Sequence, residues 1–93
     1  MNILTQKTYN EINMELAKRV VLLRRRKKIS QTELGKRSGV SFGSIKRFEQ
    51  TGEISLSSLT KIAIALNVEK EMDNLFSKVE FSSIEEVINE QTK

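Results

Sequence analysis

Cysteine and histidine are both missing from the 93 residues. Without cysteine there is no disulfide scaffold, no thiolate zinc site and no cysteine nucleophile. Without histidine the commonest general base and the commonest metal ligand are gone as well. Proline is absent and glycine occurs only four times, too little turn chemistry for a loop-rich or all-β fold. Long hydrophobic runs are also missing. The longest, Val20 to Leu23 and Ile62 to Leu66, fall far short of the roughly 20 apolar residues of a membrane helix. The opening residues Met1-Asn2-Ile3-Leu4-Thr5-Gln6-Lys7 lack the apolar stretch of a signal peptide. The expectation is a soluble, cytoplasmic chain with no membrane partner.

What is present is charge, unevenly placed. Hydrophobic residues make up 38% and charged residues 30%, enough for one small core. A domain of this size is marginal alone, and dimerisation would help it. Residues 1–48 carry 12 Lys and Arg against 3 acids, and residues 49–93 carry 4 Lys against 9 acids. A basic half joined to an acidic half suggests a polyanion on one side and a different partner on the other.

Apolar periodicity predicts an all-α chain. Tyr9, Ile12, Leu16, Val20 and Leu23 recur at three- and four-residue steps, one face of a helix over about Tyr9 to Lys27. Thr8 followed by Glu11 fits a capping box, and Arg24 to Lys28 puts positive charge at the helix C-terminus, where the dipole favours it. A second helix is expected over Gln31 to Ser38, with Ser30 and Glu33 as its capping pair and Gly39 as a left-handed stop. A third, about Phe42 to Gln50, turns Ile45 and Phe48 inward and Lys46, Arg47 and Gln50 outward. Thr51-Gly52-Glu53 reads as a turn. A fourth helix, Leu56 to Leu66, is capped by Ser55 and carries the stripe Leu56, Leu59, Ile62, Ala63 and Leu66. A fifth, Glu69 to Ser77, carries Met72, Leu75 and Phe76. Ser82 and Glu85 cap a possible last helix, Ile84 to about Glu90. The expected division is a domain over 1–78 and an arm or short helix over 79–93.

The informative stretch is Ser30 to Gly52. Two short helices joined by a tight turn form a helix-turn-helix. Gly35 lets the helices approach, and Gly39 supplies the positive φ of the turn. Leu34, Val40, Ile45 and Phe48 form the face between them. The second helix is then free to present its outer face to a DNA groove.

Taken with Leu23-Arg24, Ile29-Ser30-Gln31-Thr32-Glu33-Leu34, Gly39-Val40-Ser41, Ile45-Lys46-Arg47-Phe48-Glu49, Gly52, Leu56-Ser57-Ser58-Leu59 and Ala63-Ile64-Ala65-Leu66-Asn67-Val68, this stretch resembles the Cro/C1-type (XRE) helix-turn-helix family. The resemblance covers about Ala17 to Phe76. It implies a five-helix, lambda-repressor-like domain whose third helix lies in the major groove of double-stranded DNA, here with a short C-terminal helical extension. It implies base contacts from Gln31, Ser41, Phe42, Gly43, Lys46 and Arg47. It implies phosphate contacts near Ser30, Ser44, Gln50 and Thr51, and a structural ion pair between Arg24 and Glu49. The chemistry suits these roles: Lys46 or Arg47 can donate to guanine O6 and N7, and Phe42 can pack on a thymine methyl. Gly43 departs from the polar residue that the family often places there and offers no side-chain contact. Phe42 also fits a core residue. Arg25 to Lys28, with Lys36 and Arg37, also fit solvated charge.

Nothing in the chain supports an enzyme. There is no phosphate-binding glycine loop, and no nucleophile stands beside a base. Glu69, Asp73, Glu85 and Glu86 read as exposed helix charges. No catalytic residue, cofactor, metal or small-molecule ligand is expected. The function implied is a transcriptional regulator, a homodimeric repressor on a near-palindromic operator. Met72, Leu75, Phe76, Phe81, Ile84, Val87 and Ile88 offer a dimer or partner surface, or else complete the monomer core. The size also resembles antitoxin subunits paired with HipA-type kinases, in which case the C-terminal segment contacts a toxin protein. The competing class is a protein-interaction module that binds no DNA.

Overall fold

The computed structural model describes residues 6–78. Among them are five helices and no strand: α1 (Tyr9–Arg26), α2 (Gln31–Ser38), α3 (Phe42–Thr51), α4 (Leu56–Ala65) and α5 (Glu69–Asp73). The Phe81, Ile84, Val87 and Ile88 positions, and the expected last helix, lie outside the described residues.

Four of the helices start on a hydroxyl. Thr8, Ser30, Ser41 and Ser55 accept hydrogen bonds from the backbone N–H of Glu11, Glu33, Ser44 and Ser58, at 3.0–3.2 Å. Each such cap is worth about 1 kcal/mol. The carboxylate half of the first capping box differs from expectation: Glu11 accepts from the Thr8 hydroxyl itself at 3.3 Å.

The first four helices stop by left-handed residues. Gly39 ends α2 at φ 77° and Gly52 ends α3 at φ 80°. The Gly52 position is doubly constrained, because a Cβ there would lie 2.9 Å from the Asn13 carbonyl carbon. α1 and α4 achieve the same stop without glycine. Lys28 (φ 57°) and Asn67 (φ 62°) take the left-handed position. The N–H groups of the next residues, Ile29 and Val68, close on the Arg24 and Ala63 carbonyls, the bond pattern of a Schellman motif.

The core forms where these helices converge. Leu34, Ile45, Phe48, Ile62 and Leu66 are the largest fully buried side chains, with Ala17, Val20, Ile29, Val40 and Ala63 around them. α1 packs chiefly on α3, α2 on α3 and α4, and α5 on α4. Gly35 sits where α2 meets the turn. A Cβ there would press on the Val40 carbonyl at 3.1 Å, so its smallness permits the close approach.

Several boundaries move. α3 runs through Thr51, one residue into the expected turn, while α1 and α4 each stop one residue early. α5 is shorter than its apolar pattern implied. It ends at Asp73, and Phe76 follows at φ 60°. No described element covers Leu75 or Phe76, so no burial rewards extending the helix. The outer ends of two stripes are bare for the same reason: Tyr9, Ile12 and Leu56 are all exposed.

Candidate nucleic-acid interface

The position of α3 is fixed by core packing together with one buried ion pair. Arg24 donates from Nε to Glu49 Oε2 at 2.8 Å and from Nη2 to Glu49 Oε1 at 2.9 Å, while Nη1 reaches the Ile29 carbonyl at 2.9 Å. Both side chains are only 8% exposed. Gln31 completes the cluster, donating from Nε2 to Glu49 Oε1 at 2.8 Å. One carboxylate thus ties α1, α2 and α3 together. Among the described residues no buried side-chain nitrogen or oxygen is left without a partner.

Burial works against ionisation of Glu49. The hydrogen bonds from Arg24 and Gln31, with the charges of Arg24 and Arg25, outweigh it and hold the carboxyl below its ordinary value. A half-satisfied version of such a cluster would be costly, because removing one partner strands the other charge.

With its inner face anchored by Ile45, Phe48 and Glu49, α3 leaves its other face open. Ser41, Gly43, Ser44, Lys46, Arg47 and Gln50 are exposed. Phe42 is 48% exposed and stands outside the buried core. Ten residues make a helix about 15 Å long, a size the major groove admits. The Ser41 hydroxyl caps α3 and also donates to Ser44 Oγ at 2.8 Å, which leaves the Ser44 proton available. Lys46 has no hydrogen-bond or ion-pair partner among the described residues.

Two arrangements were not legible from the sequence. The Arg47 guanidinium donates from Nη2 to Glu53 Oε2 at 2.7 Å, with both side chains more than half exposed. Thr51 braces that pair. Its hydroxyl donates to the Arg47 carbonyl at 2.7 Å and accepts from the Glu53 N–H at 3.1 Å. The second arrangement is a shallow cleft in which Lys18 and Arg25 of α1 stand beside Gln31, Glu49 and Gln50. The seven-residue spacing of Lys18 and Arg25, two helical turns on one face, was the only signal for it.

The other positions separate into two groups. Ser30 is the N-cap of α2, Gln31 reaches α3 through Glu49, and Thr51 is the last residue of α3. Met72, Leu75 and Phe76 belong elsewhere. Met72 and Leu75 line an apolar groove of about 480 Å³ with Leu16, Val20, Leu23 and Leu59, and Phe76 is 85% exposed. Among the described residues no group of three or more acidic side chains is placed to hold a metal ion, and no helix is long and apolar enough to cross a membrane.

A family model described as Helix-turn-helix matches residues 22–71. The match runs from the last turns of α1 into α5 and takes in the whole Arg24–Glu49 cluster and the open face of α3. No curated protein and no solved structure matches the chain.

Proposed function

The chain belongs to the Cro/C1-type (XRE) helix-turn-helix family, and from that premise we propose that it is a sequence-specific repressor that reads a near-palindromic operator as a homodimer. The family is one of DNA-binding transcriptional regulators, not of catalysts. The observation that carries the reading is the open face of α3, with Lys46, Arg47 and Gln50 exposed on a helix whose opposite face is locked by Arg24 and Glu49. A groove-reading helix has to be rigid on one side and uncovered on the other.

In this reading Lys46 and Arg47 donate to guanine O6 and N7, and Phe42 packs on a thymine methyl. Ser41, Gly43 and Gln31 lie against base edges. Ser30, Ser44, Gln50 and Thr51 lie along the phosphates. Lys18 and Arg25 extend the positive edge toward the backbone of the DNA, adding affinity without sequence information. Two copies would meet half-sites one DNA turn apart, about 34 Å. The groove beside Met72 and Leu75, with the bare Phe76, supports a protein contact at the other end of the domain. A second copy is the proposed occupant. A toxin of the HipA kinase type is the alternative that would make the chain an antitoxin.

Selection of bound sequences from random duplexes tests the proposal. A two-fold symmetric motif is the expected result, with affinity falling steeply with salt at a slope of about −0.9 per phosphate neutralised. Absence of binding to any duplex would leave the protein-interaction module as the better account. A stable one-to-one complex with a kinase encoded next door would favour the antitoxin reading.

A further inference from the structure

An acid beside a DNA-reading arginine is out of place electrostatically. Glu53 adds negative charge next to a face meant for a polyanion, and its pairing with Arg47 does little for the fold, since exposed pairs contribute about 0–1 kcal/mol. Yet its placement is heavily specified. Gly52 fixes the turn at positive φ and packs against the α1 backbone at Asn13. The Thr51 hydroxyl bridges the Arg47 carbonyl to the Glu53 N–H. Ile54, immediately after Glu53, packs against the core. The backbone that carries the carboxylate is therefore held relative to the backbone that carries the guanidinium.

We propose that Glu53 is a positioning residue for DNA reading: its carboxylate holds the Arg47 guanidinium in one orientation, so that the remaining donors of that group meet a guanine edge already aligned. The inference rests on the DNA-binding reading above. The bond to Glu53 uses Nη2. Nε, Nη1 and the second Nη2 hydrogen remain, enough for a two-pronged contact to O6 and N7. A free arginine loses rotamer freedom when it binds a base. An arginine already held by Glu53 loses less. The same carboxylate repels phosphates, so Arg47 is discouraged from settling on the backbone of an arbitrary sequence. Lys46, one residue away and without a partner among the described residues, has no such restraint. Glu53 thus lowers affinity for arbitrary sequences and sharpens the choice of one base pair.

The test compares the parent with Glu53→Ala, Glu53→Gln and Arg47→Ala on three probes: the duplex selected by the parent, its single-base-pair variants, and a random duplex. Thermal midpoints are measured alongside, to show that the variants fold. Removing the charge should tighten random-duplex binding by about two- to fivefold in both Glu53 variants, the size of one exposed charge interaction. Glu53→Ala should also lose about tenfold in discrimination, at the base pair where Arg47→Ala loses it. Glu53→Gln keeps an oxygen acceptor at the same reach and should retain part of that preference. Intact preference in Glu53→Ala, loss spread evenly over all positions, or equal loss in Glu53→Gln would overturn the assignment. A parent that shows no preference for any duplex would bring down the DNA-binding reading itself, and that result appears before any variant is compared.

Discussion

Two arginine–glutamate pairs flank α3, and they differ in almost everything except chemistry. The inner pair, Arg24–Glu49, is buried, two-pronged and shared with Gln31 and the Ile29 carbonyl. The outer pair, Arg47–Glu53, is a single contact between exposed side chains. The shortest distances, 2.8 and 2.7 Å, do not separate them. Burial does. Charges out of water cannot fall back on solvent when a partner leaves, so the inner pair is a structural commitment. Charges in water can, so the outer pair commits the fold to little and leaves the remaining Arg47 donors open to a ligand. One helix carries both because it has two duties: to stay in place on one face and to meet a ligand on the other.

The largest break in this contrast should come from Glu49→Ala. It strands the Arg24 guanidinium at a site 8% exposed, and removal of one partner of a buried pair costs about 3–5 kcal/mol. Urea unfolding should show most of the stability of so small a domain gone. A loss under about 1 kcal/mol would place the pair with surface ion pairs. Arg47→Ala is the mirror case. Its unfolding midpoint should stay near the parent's, while its best duplex site loses about 1–3 kcal/mol and base preference relaxes.

Acid titration sharpens the contrast further. The Glu49 carboxyl is held below its ordinary value of 4.5 in the folded chain. Its contribution to stability is therefore in place above that value and is lost as pH falls through it toward the depressed one, because the unfolded chain takes up the proton first. Unfolding curves from neutral pH to about pH 3 should show the parent losing stability more steeply than Glu49→Gln below 4.5. Parallel curves would mean that the carboxyl is not held ionised by Arg24 and Gln31.

How much of this was legible in the sequence depends on the range of the interaction. Caps and turns are local. Thr8, Ser30, Ser55 and Gly39 announce themselves by residue type and spacing, and the structure places each as expected. Helical periodicity is local as well, and it correctly turned Ile45 and Phe48 inward. It cannot show whether another element covers a stripe, which is why Tyr9, Ile12 and Leu56 are exposed where burial was expected. Arg24 and Glu49 lie 25 residues apart, and only the family resemblance brought them together. Gln31 on Glu49 and Glu53 on Arg47 had no local signal. Each depends on where a turn aims a flexible side chain.

The smallest effect is the most informative about the outer pair. Glu53→Ala should change the unfolding free energy by no more than about 1 kcal/mol, because the gain from an exposed pair is offset by the entropy of fixing two long side chains. The Thr51 bridge should survive the substitution, since it uses the Glu53 N–H and not its carboxylate. Thr51→Val removes the hydroxyl that bonds both backbones, and it should cost more than Glu53→Ala even though it deletes no charge. If Glu53→Ala proved the more damaging of the two in urea, the carboxylate would be part of the scaffold. The difference between the two faces of α3 would then be one of degree, and Glu53 would serve the fold before it served the aim of Arg47.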